Sequence, residues 1–242
     1  MLALVTGASK GIGRACALEL AKEDFDIIVH CSSDIEGASE TAAKVRSLGR
    51  KAHMFAMDLS DPENVHNFCG GVLEHVGLPD AVVNNAGVCL PSLVQDISLE
   101  DWDYVMNVNL KAAFIICRDF APAMIERKSG SIVNIASIWG RTGSAMESSY
   151  CASKGALVMF SKALAQELGP SGIRVNCVSP GCIDTAMNAS YSEDERRALE
   201  ERTPLGRFGS PEEVGKAVAF LASEKASFIT GADLLVDGGF SI

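Results

Sequence analysis

The chain has 242 residues, 48% of them hydrophobic and 21% charged, with a formal net charge of −10. That length suits one large α/β domain or two small ones with a sizeable core. The acidic balance argues against nucleic acid or an anionic membrane as the main partner, while leaving room for a small anionic ligand in a locally basic pocket.

The predicted elements alternate from the start. "LALVT" (2–6) reads as a strand, and a glycine-rich turn follows that opens a helix at 12–20. Strands "DIIVH" (26–30), "KAHMFA" (51–56) and "AVVN" (81–84) come next, separated by helices at 35–48 and 62–75. A long helical stretch at 99–126 leads to "SIVNIA" (131–136), a helix at 149–168 and "IRVNCV" (173–178). Segment 182–209 is charged and weakly patterned, and its length suits a lid over a site. The last helix, 211–223, opens with Ser210 as N-cap, Pro211 and two acids, and "DLLVD" (233–237) is a seventh strand. Several strands are apolar almost throughout, as parallel strands covered on both faces are. Alternation over residues 1–242, with no linker or repeat, predicts a single α/β domain: a doubly wound sheet with helices on both faces.

Eight cysteines (16, 31, 69, 89, 117, 151, 177, 182) lie in apolar segments without a C-x-x-C, and four histidines (30, 53, 66, 75) lack metal-ligand spacing. The expectation is a reduced, cytoplasmic protein with no metal site. No apolar run reaches the length of a membrane span, and the start "MLALVTGASKGIG" has no signal-peptide pattern.

The first turn carries glycines at 7, 11 and 13, spaced G-x-x-x-G-x-G. Gly7 permits the tight turn, while Gly11 and Gly13 let backbone approach a pyrophosphate at a helix N-terminus. An acid at the end of the second strand would hold the ribose 2′-OH of NAD. Cys31 and Ser32 stand there instead, and Lys10 adds a cation from the turn, which favours a 2′-phosphate and hence NADP. Asp34 is near enough to keep NAD open.

Residues 147–154, "ESSYCASK", place Tyr150 and Lys154 one helical turn apart and so on one face. By itself the pair is also what a snorkelling couple at a core edge looks like. Together with "TGASKGIG" (6–13), "DLS" (58–60), "NNAG" (84–87), "NVN" (107–109), Ser137, "SPGCIDT" (179–185) and "DGG" (237–239), it resembles the short-chain dehydrogenases/reductases from end to end. The resemblance implies a Rossmann-type seven-stranded sheet, a homotetramer paired through 99–126, 149–168 and the C-terminal segment, and a catalytic set of Asn109, Ser137, Tyr150 and Lys154. Tyr150 would give a proton to the nascent alkoxide, its phenol lowered toward neutrality by the Lys154 ammonium and the oxidised nicotinamide. Lys154 would also hold the nicotinamide ribose, Ser137 the substrate carbonyl, and Asn109 a water leading to solvent. The cofactor contacts implied are Gly7, Ser9, Lys10, Gly11, Ile12, Gly13, Cys31, Ser32, Asp58, Leu59, Asn85, Ala86, Gly87, Tyr150, Lys154, Pro180, Gly181, Ile183 and Thr185. Asn84 and Asp237 read as structural.

Within the family, "TPLGRFGSPEEVGKAVAFLASEKASFITGADLLVDGG" is similar to the 3-oxoacyl-acyl-carrier-protein reductases, which act in fatty acid biosynthesis. Two basic residues receive the acidic carrier in those enzymes. Lys128 matches one, and the other position holds Ser171. "SIWG" (137–140) followed by Glu147 resembles reductases of a 5-aminopentanone group on elongation factor P, which makes Trp139 and Glu147 candidate substrate residues. Glu147 also suits a helix start, with Ser148 and Ser149 as caps. A third alternative is a catalytically silent nucleotide-binding regulator on the same fold.

Overall fold

A computed structural model describes residues 1–189 and 191–242, so the 182–209 segment is described except at Ser190, which lies outside the described residues. In chain order it has β1 (Leu2–Val5), α1 (Gly11–Lys22), β2 (Asp26–Cys31), α2 (Ile35–Ser47), β3 (Ala52–Ala56), α3 (Pro62–His75) and β4 (Ala81–Asn84). Then come α4 (Leu99–Met106), α5 (Ala112–Arg127), β5 (Gly130–Ile135), α6 (Trp139–Thr142), α7 (Ser148–Leu168) and β6 (Ile173–Pro180). The chain finishes with α8 (Glu193–Arg202), α9 (Pro211–Ala222) and β7 (Asp233–Val236).

The seven strands form one parallel sheet ordered β3-β2-β1-β4-β5-β6-β7. Side-chain alternation splits each strand between two cores. Ala3 and Val5 of β1 face α1, α2 and α9 through Leu20, Val45 and Val218. Leu4 points the other way, toward Phe68 of α3, Phe120 of α5 and Leu168 of α7. The order reverses between β1 and β4, and in open α/β sheets such a switch point leaves a crevice beyond the strand ends.

Two segments depart from the sequence expectation. The helix expected over 99–126 is broken by a π-helical turn, Asn107–Lys111, between α4 and α5. Buried Asn109 sits in that wide turn, its Oδ1 accepting the Val88 N–H at 2.8 Å and its Nδ2 donating to Val88 O at 2.9 Å and Ser153 Oγ at 3.0 Å. Such insertions in a helix are how a side chain is drawn toward a neighbour. Segment 182–209, expected to be a lid, contains α8, started by a capping box in which Ser192 Oγ accepts the Glu195 N–H and Glu195 accepts the Ser192 N–H at 2.9 Å. No α8 residue is fully buried, so the segment carries no apolar stripe from which the helix could be read.

Candidate active site

A cavity of about 1140 Å³ runs along the C-terminal ends of the strands. At one end is the turn after β1. Gly7 has φ +63, and a side chain on Gly13 would strike the Gly7 carbonyl, so both positions require glycine. The turn is stitched to the segment after β4: Thr6 Oγ1 accepts the Asn85 and Ala86 N–H groups at 2.9 and 3.0 Å, and Asn85 Nδ2 donates to Thr6 O at 2.8 Å. Gly11, Ile12 and Gly13 open α1 and line the cavity, and a helix N-terminus with two glycines fits a pyrophosphate. Ser9, Lys10, Gly11, Ile12, Cys31, Ser32, Asp58 and Leu59 line the same end. Asp34 lines it too, but its carboxylate caps α2 through the Gly37 N–H at 3.0 Å. That bond, the Ser9 hydroxyl and then Lys10 and Arg14 hold the carboxyl below its usual range.

At the other end Ser137, Trp139, Glu147, Tyr150 and Lys154 share the wall with Gly87, Pro180, Gly181, Ile183 and Thr185. Helix α7 presents Tyr150 and Lys154 on one face, with the Lys154 Nζ 5.7 Å from the Tyr150 ring centre and donating to Ile135 O at 2.7 Å. A short loop after β5 brings Ser137, and α6 lies so close to α7 that a Cβ on Gly140 would fall 2.7 Å from the Gly155 nitrogen. Asn109 is the one predicted site residue off the cavity wall: its side chain is bonded to Val88 and Ser153 behind it.

Burial sets the electrostatics of the site in the free chain. Burial pushes the Tyr150 phenol up from its ordinary value, and the Ser137 hydroxyl pulls only partly the other way. Lys154 is itself lowered to about 8 by burial, which leaves it mostly an ammonium at neutral pH beside a phenol that burial raises. Tyr150 therefore keeps its proton at neutral pH, which is the state a proton donor needs. Burial also raises the Glu147 carboxyl. Glu147 is the N-cap residue of α7 yet makes no side-chain cap bond, and it faces the Cys89 thiol, which burial and that carboxyl together push up to about 12. Neither Ser148 nor Ser149 caps the helix; both lie within α7. Asn84 bonds Asn134 Oδ1 at 2.8 Å and Asp237 accepts the Gly239 and Ser241 N–H groups at 3.0 Å, both structural as expected.

The family model described as enoyl-(acyl carrier protein) reductase matches residues 7–241. The chain belongs to the short-chain dehydrogenase/reductase family. It is 40% identical to the 3-oxoacyl-[acyl-carrier-protein] reductase of Aquifex aeolicus over 238 residues, covering 98% of this chain and 96% of that one. Among solved structures it is similar to acetoin dehydrogenase YohF of Salmonella typhimurium, with TM-score 0.91 and 39% identity over 99% of this chain and 95% of that one. A blue fluorescent protein from a metagenomic library, solved in complex with NADPH, has TM-score 0.93 and 35% identity over 100% and 98% of the two chains. As a short-chain dehydrogenase/reductase the protein is an oxidoreductase of the CH–OH/C=O couple, in a family that binds a nicotinamide cofactor.

Four residues of this short-chain dehydrogenase/reductase escaped the sequence reading. His30 lies buried under the glycine turn, its Nδ1 accepting the Gly7 N–H at 3.2 Å and its Nε2 2.9 Å from Met57 O; burial lowers it to about 4, so the ring is neutral. Cys89, Tyr191 and Arg202 line the substrate end. They come from loops and from segment 182–209, where only the S-x-x-E capping signature at 192–195 hinted at ordered structure.

Proposed function

We propose that the protein reduces a ketone with NADPH, and that the ketone is a 3-oxoacyl thioester on an acyl carrier protein, giving a 3-hydroxyacyl product. The observation that carries this reading is the convergence of Ser137, Tyr150 and Lys154 on a cavity that continues to the glycine turn. NADPH bound along it would supply the hydride. Tyr150, protonated at neutral pH, delivers the proton to the forming alkoxide, and the Ser137 hydroxyl steadies the charge on that oxygen. Lys154, anchored on Ile135 O, holds the nicotinamide ribose. Asn109, by bonding Ser153, whose hydroxyl donates to Tyr150 O at 2.7 Å, positions the first turn of α7, in addition to the water it is expected to hold. Asp58 meets the adenine, Asn85, Ala86 and Gly87 the adenosine ribose, and Pro180, Gly181, Ile183 and Thr185 the nicotinamide. Lys10 and Ser32 favour a 2′-phosphate because the nearby Asp34 carboxylate already serves as a helix cap.

The single domain works as a homotetramer in the cytoplasm on this reading. Phe114 and Ile125 of α5, Met159 of α7 and Phe228 are exposed apolar side chains that subunit contacts would cover, and all eight cysteines are free thiols. Among the described residues, no helix is long and apolar enough to cross a membrane.

A second reading, reduction of a 5-aminopentanone group on elongation factor P, is favoured by the Glu147 carboxyl on the cavity wall, where it would attract an ammonium. The test is NADPH oxidation by purified protein with an acetoacetyl thioester, an amino-ketone and simple ketones. The first reading expects the highest kcat/KM for the thioester; preference for the amino-ketone would replace it with the second.

A further inference from the structure

Four arginines lie between Ile183 and Ser210, and three of them have a carboxylate partner. Arg196 pairs with Asp184 at 3.2 Å and Glu200 at 3.1 Å, Arg197 with Asp194 at 3.8 Å, and Arg207 with Glu213 at 2.7 Å. Arg202, the last residue of α8, has no ion-pair or hydrogen-bond partner among the described residues, and it lines the cavity that holds Tyr150. Its guanidinium carbon lies 4.5 Å from the centre of the buried Phe240 ring, and Phe240 stands edge-on against Trp139 at 5.4 Å between centroids. Stacking uses the face of a guanidinium and leaves its edge of N–H donors free. The group is therefore oriented by an aromatic support and open on the side where a fork of two N–H bonds would receive an oxyanion.

Electrostatic reach locates it along the chamber. The Cys182 thiol is pushed up to about 11 by burial, with Arg202 pulling it down and Glu147 pushing it up, so both charges face the floor after β6. Glu195, which also lines the cavity, is engaged by Ser192 in the capping box.

We propose that Arg202 is the anion-recognising residue of the substrate chamber, taking a carboxylate or phosphate oxygen that the ketone carries away from its reacting carbon. This rests on the ketone-reductase reading, and it adds a specificity determinant from the lid.

The test compares two anionic and neutral pairs. One is acetoacetyl-4′-phosphopantetheine against acetoacetyl-N-acetylcysteamine, and the other 4-oxopentanoate against its methyl ester. The ratio of kcat/KM, anionic over neutral, should fall by about tenfold or more in Arg202→Met for whichever pair carries the natural anion, the worth of a charge-assisted hydrogen bond. Arg202→Lys should keep part of the ratio, and Arg197→Met, which removes a charge from the paired outer face of α8, should keep it whole. A fall confined to the first pair identifies a phosphate, and one confined to the second a carboxylate. An unchanged ratio in Arg202→Met, or an equal fall in Arg197→Met, overturns the assignment. Wild-type protein that reduces only the simple ketones contradicts the thioester reading while leaving Arg202 to be judged on the second pair. A readout independent of turnover is Arg202 modification by phenylglyoxal, mapped by mass spectrometry. With oxidised cofactor present, 4′-phosphopantetheine or 4-oxopentanoate should slow it, while pantetheine and the methyl ester should not. If the chain turns over none of the four ketones, this protection decides the matter, and its absence overturns the proposal.

Discussion

On the proposed reading, single side chains set the chemistry, and two of them decide what enters. Lys10 and Glu147 both line the cavity. NADPH should bind more tightly than NADH, and Lys10→Ala should narrow the gap by about 1–2 kcal/mol, the usual size of a lost charge-assisted contact; calorimetric affinities that are equal in the parent would contradict the 2′-phosphate reading. Glu147→Gln should lower kcat/KM for an amino-ketone and spare or improve an acetoacetyl thioester if its carboxylate attracts a cation. Steady-state kinetics indifferent to substrate charge would leave Glu147 with a purely structural place beside Cys89. The pairing of Tyr150 with Lys154 was legible because four-residue spacing on a helix is a local rule. The direction in which their protonation moves was not, because burial comes from segments distant in sequence. His30 was hidden for the same reason: nothing near it in the chain announces that its Nδ1 meets the Gly7 N–H.

Elements were legible where burial imposes a period and illegible where it does not. Strands β1, β2, β4, β5 and β6 were readable because they are buried on both faces, whereas the edge strands β3 and β7 are only partly buried, and α7 was readable because its buried positions recur every three or four residues. The π-turn at Asn107–Lys111 is a shift in backbone bonding that leaves no mark on composition. Helix α8 is charged around most of its surface and is held by its capping box and by Arg196, stacked 4.3 Å from Phe208. A helix so attached, with no fully buried residue, opens at low cost. Backbone amides over 186–189 and 191–206 should therefore exchange quickly in the free protein and slow on binding NADP and a ketone, as hydrogen-exchange mass spectrometry would read. Slow exchange without ligand, unchanged by it, would make the segment fixed packing rather than a lid.

At the scale of the whole molecule, buried thiols give the fold a pH signature. Burial raises Cys16, Cys117 and Cys177 each from 9.0 to about 12. Groups raised in the folded state contribute stability that is complete below the unfolded value and is lost as pH climbs through the folded one. Lys154, lowered from 10.5 to about 8, works in the opposite sense, adding stability between those values. Three thiols outweigh one amine, so the urea midpoint should fall between pH 9 and 12, and Cys→Ala at all three positions should flatten that slope even where it lowers the midpoint. An unchanged slope would mean the thiols ionise as freely folded as unfolded. Sheet, cavity and helix α7 together serve one purpose in this account, a hydride and a proton delivered to the two ends of one carbonyl. The measurement closest to that claim is turnover of Tyr150→Phe with NADPH and the best ketone substrate of the parent. The account predicts a kcat lower by about 10²–10⁴-fold with NADPH affinity and fold retained, and near-parent turnover in that variant would contradict it.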